Sequence, residues 1–70
     1  NISFRVHARN TEACTVIITD ITGRIVSTSD HMVYTGDNSM KADITGQPAG
    51  LYLLQLKSES GQQVFKVHLQ

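Results

Sequence analysis

One cysteine, one proline and no tryptophan occur among 70 residues, and each scarcity removes a class of structure. A lone Cys14 permits neither an internal disulfide nor a multi-cysteine zinc centre, the usual staples of small domains, so packing alone must hold the fold. Six basic residues balance six acidic ones, for a formal net charge of zero. That balance lacks the one-signed surface that nucleic acid or an anionic membrane selects, so no nucleic acid is expected as a partner. The longest unbroken apolar run is Leu51 to Leu54, far short of the roughly 20 residues that span a bilayer as a helix. A chain of 70 residues makes a single domain and has no room for a deep active-site cleft. Its opening, Asn1-Ile2-Ser3-Phe4-Arg5, has neither an initiator Met nor the basic, apolar and small-residue blocks of a secretory signal, and reads as a piece of a larger protein.

What is abundant points to β-structure. Val, Ile, Thr, Tyr and Phe make 23 of the 70 residues, the types that suit a pleated, half-buried surface. Residues 2–9 alternate, with Ile2, Phe4, Val6 and Ala8 on one face and Ser3, Arg5, His7 and Arg9 on the other, which predicts a strand buried on one side. In 14–19, Cys14, Val16 and Ile18 share a face while Ile17 makes the other partly apolar, as in a central strand. Asp20-Ile21-Thr22-Gly23 supplies a tight turn, and 24–29 and 31–35 are expected as two further strands, the second closed by a turn at Gly36-Asp37-Asn38. In 39–44, Met40, Ala42 and Ile44 face inward, and 45–50, with Pro48, Gly46 and Gly50, turns a corner between sheets. Tyr52, Leu54 and Leu56 then alternate through 51–57, and the last strand buries Phe65, Val67 and Leu69 while exposing Lys66 and His68. About seven short, mostly antiparallel strands with turn signals between them and no helical period favour an all-β, two-sheet sandwich. Asp-Ile-Thr-Gly occurs at 20–23 and again at 43–46, but the flanking residues diverge, so this is shared turn chemistry and not a repeat.

The side chains that could carry chemistry are scattered. Cys14 lies in register with Val16 and Ile18, so its thiol points into the core as a small hydrophobe and not toward His7, His31 or His68 as a nucleophile. A metal needs three converging ligands; the histidines sit on the first strand, a hairpin and the last strand, so no metal or other cofactor is expected. Asp20, Asp37 and Asp43 fall in or beside turns, where Asp stabilises the backbone. No glycine-rich loop joins a strand to a helix, which excludes a phosphate cradle. No enzyme is expected.

A resemblance extends this reading. Thr15-Val16-Ile17-Ile18-Thr19-Asp20-Ile21-Thr22-Gly23-Arg24-Ile25-Val26, then Ala42-Asp43-Ile44-Thr45-Gly46-Gln47-Pro48-Ala49-Gly50-Leu51-Tyr52-Leu53-Leu54, then Gly61 and Val64-Phe65-Lys66-Val67-His68-Leu69 resemble, in order and spacing, the C-terminal sorting domain of the type IX secretion system of Bacteroidetes. The match spans essentially the whole chain, so 1–70 reads as a single sorting domain of a larger secreted protein. The resemblance implies an immunoglobulin-like sandwich that serves as a C-terminal secretion signal. The cargo would precede it in the same chain, pass through the periplasm and cross the outer membrane to the cell surface or the extracellular space. Cleavage of the domain by a sortase and surface attachment of the cargo would follow. The implied partners are the outer-membrane machinery and that sortase. The residues carried over are Asp20, Gly23 and Arg24 in the hairpin, Pro48, Gly50 and Tyr52 with Leu54 in the second signature, and Lys66, Val67 and Leu69 in the terminal segment. A receptor would grip an exposed edge formed by residues 64–70 through backbone pairing, and the same edge could join two copies as a homodimer. The competing reading is an immunoglobulin-like adhesion or glycan-binding module that stays on a surface protein.

Overall fold

The computed structural model describes residues 2–44 and 46–69. It is all-β, with strands β1 Ile2–Ala8, β2 Glu12–Asp20, β3 Ile25–Val33, β4 Gly36–Ala42, β5 Gly50–Ser58 and β6 Gly61–Leu69. β1 pairs antiparallel with β4 in a two-stranded sheet, and the other four form a sheet in the order β3-β2-β5-β6. Every pairing is antiparallel. One apolar cluster draws on both sheets: Ile2, Val6, Ala8, Met40 and Ala42 from the pair, Cys14, Val16, Ile18, Tyr52, Leu54 and Leu56 from the centre of the four. The alternation read in 2–9, 14–19, 39–44 and 51–57 is the alternation of burial, and β2 is central as expected.

The structure corrects the sequence reading at three places. Among the described residues there are six strands and not seven, because 24–29 and 31–35 do not part into two; Ile25–Val33 runs unbroken. Asp30 carries no turn there, since its carboxylate accepts the Thr15 hydroxyl across the ladder at 3.0 Å, and His31 shares a hydrogen bond with Ser29 at 2.8 Å. Second, Gly36-Asp37-Asn38 opens β4 instead of forming the turn, which lies at Tyr34-Thr35. Asn38 makes this turn from inside the strand: its Oδ1 accepts the Tyr34 N–H at 2.9 Å and its Nδ2 donates to the Tyr34 carbonyl at 2.8 Å. Third, Phe65 is not buried; it is 36% exposed, and its inward-facing neighbours Val67 and Leu69 are half-buried. The reason is width, since a two-stranded sheet covers the middle of a four-stranded one and leaves its flanks open.

Candidate recognition surface

Asp20 ends β2 and builds the turn that follows. Its Oδ1 accepts the backbone N–H groups of Thr22 and Arg24, each at 3.0 Å, and the Thr22 hydroxyl at 2.6 Å. Its backbone closes the turn through Gly23 N–H to Asp20 C=O at 3.1 Å and Asp20 N–H to Arg24 C=O at 3.0 Å. Gly23 sits at φ 94°, a left-handed conformation that a Cβ would oppose. The hydrogen bond from Thr22 holds the Asp20 carboxyl below its usual value, with the Arg24 and Thr22 amides and the Arg24 charge acting in the same direction against desolvation. Arg24 Nε reaches Asp20 Oδ2 at 3.3 Å but leaves most of its side chain in solvent.

The second group is a corner. Tyr52, buried at the start of β5, donates its hydroxyl to the Pro48 carbonyl four residues upstream, at 2.5 Å. Gln47 N–H to Ile44 C=O at 3.2 Å tightens the same segment, and Gly50 enters the strand at φ 149°. Thr45, part of the expected corner loop, lies outside the described residues, as do Asn1 and Gln70. The third group is β6, which among the described residues pairs only with β5 and forms one edge of its sheet. Lys66 and His68 are exposed on it, opposite Leu53 and Leu51.

Register brings these groups together. Asp20 pairs with Tyr52 and Tyr52 with Val67, so the hairpin, the corner and the terminal strand form one row across the end of the sheet. Gly50 opposes Leu69 and Leu53 opposes Lys66 in the adjoining positions. Of the ten residues carried over from the resemblance, all but Leu54, which sits in the middle of β5, therefore lie at or beside one end of β2-β5-β6. Of the residues weighed for catalysis, register brings His31 opposite Cys14 and leaves His7 and His68 on other strands. Cys14 is buried, and burial, then the charges of Glu12 and Asp30, push its thiol up. His31 faces it across the ladder, His7 donates to Asp37 at 2.9 Å on the other sheet, and His68 lies on β6. Among the described residues no three His, Cys, Asp or Glu side chains are grouped to hold a metal. One link escaped the sequence reading: the Ser60 hydroxyl donates to Glu12, tying the β5–β6 turn to the start of β2 and lowering the Glu12 carboxyl. Forty-odd positions of separation, set against no local pattern, left no signal for it.

Residues 1–70 match the family described as the secretion system C-terminal sorting domain. The chain belongs to that family. Neither a curated protein nor a solved structure matches it. As a type IX sorting domain it signals export across the outer membrane to the cell surface or extracellular space, and it works with the type IX machinery on a cargo that precedes it.

Proposed function

We propose that the domain acts as a non-catalytic address label, read at the end of the four-stranded sheet where Asp20, Arg24, Tyr52, Lys66 and Val67 converge. The cargo is carried through the periplasm, and the machinery grips the outer edge of β6 by backbone pairing, with Lys66 and His68 presented to it. A sortase then removes the domain as the cargo is attached to the surface. The observation that carries this reading is the family membership joined to the register row Asp20–Tyr52–Val67, which gathers three separated motifs at an open edge.

An immunoglobulin-like core belongs to the same proposal. The order β1-β4 over β3-β2-β5-β6 corresponds to immunoglobulin strands B and E facing C′, C, F and G, and a tyrosine bonded back to the chain before strand F is the corner of that fold.

The test is a graft. Residues 1–70 fused behind a periplasmic reporter in a type IX host are expected to send the reporter outside, and removing residues 61–70 to retain it. A reporter that stays inside with the intact domain overturns the reading, and affinity of the domain for a glycan or surface protein would put the adhesion module in its place. Arg24→Ala with undiminished export removes Arg24 from the recognition surface.

A further inference from the structure

The outer face of the four-stranded sheet, turned away from β1 and β4, is partly apolar. Ile17 of β2 and Leu53 of β5 are half-buried on it, and Ile25, Leu51 and Val64 are exposed around them. Register sets these side chains in adjoining rows. Thr28, Ile17, Gln55 and Val64 form one row, and Ile25, Thr19, Leu53 and Lys66 the next, with Leu51 one step further along β5. The patch is therefore centred on β2 and β5, the two strands paired on both sides. On its other flank the row Asp30, Thr15, Lys57 and Gln62 carries the charge. Its acid stands on β3 and its cation on β5, two strands apart, and among the described residues neither is ion-paired within the chain.

We propose that this face packs against the same face of a second copy, about a two-fold axis that runs along the strands between β2 and β5. The face is its own complement about that axis. The rotation lays β3 of one copy over β6 of the other and β2 over β5, row by row, in the aligned arrangement of packed sheets. Ile17 of each copy then adjoins Leu53 of the other at the centre, with Leu51 and Val64 beside them. Asp30 of each copy comes beside Lys57 of the other, twice by symmetry, and Lys66 lays its aliphatic stem on the other copy's Ile25. No like charges meet in these rows, and a net charge of zero leaves no general repulsion between copies. Size sets the strength. A face of β3-β2-β5-β6 as long as Leu51 to Lys57 measures about 19 Å by about 23 Å at ordinary strand spacings. Two copies would bury on the order of 900 Å², under the about 1,200 Å² of stable complexes, so the pair is weak and forms in the upper micromolar range. This contact is separate from pairing at the outer edge of β6 and does not rest on the export reading.

The test is sedimentation of the 70-residue chain from about 10 μM to about 1 mM, with amide spectra recorded over the same dilution. A monomer to dimer equilibrium is expected, with the concentration-dependent shifts at Ile17, Leu53 and Val64. Asp30→Lys and Lys57→Asp are each expected to weaken the dimer about tenfold, since each sets like charges side by side twice in the contact, and the two together are expected to restore it. Val64→Lys, at an exposed position, should weaken the dimer severalfold while leaving the amide spectrum of β1 and β4 in place, which separates lost docking from lost folding. A chain still monomeric at the top of that range, shifts confined to the outer edge of β6, or a charge-swapped double variant no tighter than its parents would overturn the proposal. So would a monomeric cargo-bearing chain whose Ile17 and Leu53 shifts match those of the concentrated domain, which gives the face to the cargo.

Discussion

At the scale of single residues, Asp20 does the most with one side chain. Its carboxylate replaces a backbone partner for Thr22 and Arg24 at the point where β2 leaves the sheet, which is the established use of Asp in turns. The charged form is the one that accepts these bonds, so the folded carboxyl titrates lower than the unfolded one. Stability from this turn is therefore fully present above the ordinary aspartate range, at about pH 4, and is lost as pH falls through the lower folded value. Asp20→Asn is expected to flatten that acid limb, and Thr22→Val to move the Asp20 carboxyl titration upward, both measurable by NMR and by urea unfolding as a function of pH. Tyr52→Phe tests the corner. It removes the donor to the Pro48 carbonyl without changing the buried ring, and is expected to cost about 1 kcal/mol in urea unfolding while preserving the fold.

At the scale of elements, position in the sheet sets stability. β2 and β5 are paired on both sides, while β3 and β6 are paired on one. Amides of β2 and β5 are expected to exchange slowest, at the rate of global unfolding, and alternate amides of β3 and β6 that point away from the sheet to exchange much faster. Uniform protection of β6 in the isolated chain would show that its outer edge is occupied and unavailable to a receptor. Sequence pattern located β1, β2, β5 and the inward set of β4 because each is buried on one face, and period two survives wherever one face is buried. It misplaced the join between 24–29 and 31–35 because β3 is an edge strand with polar residues on both faces. Asp30 and Ser29 look like turn chemistry until Thr15 and His31 engage them.

At the scale of the whole molecule, two strands over four make a core that is deep only in its middle. Leu54 is fully buried there and Phe65, its partner on β6, is not. Leu54→Ala is expected to cost about 2–5 kcal/mol. A core of this size rarely supplies more than about 3–5 kcal/mol, so the variant should be largely unfolded by circular dichroism at room temperature. Phe65→Ala, in contrast, should cost about 1–2 kcal/mol, because a third of its surface is in water already. Equal losses at the two positions would mean that β6 is covered in solution.

The amino-acid order alone determined the all-β class, the inward faces of four strands, the burial of Cys14 and the family, since each rests on short-range alternation or on motif order along the chain. The candidate surface was legible only as three separate motifs: the hairpin at Asp20–Arg24, the corner at Pro48–Tyr52 and the strand at Lys66–Leu69. Tertiary structure decided that they adjoin, because the row Asp20–Tyr52–Val67 is a matter of register between strands far apart in sequence. It also decided that Phe65 is left partly in water. That follows from the unequal widths of two sheets, a property of how strands are shared between layers that no single strand encodes.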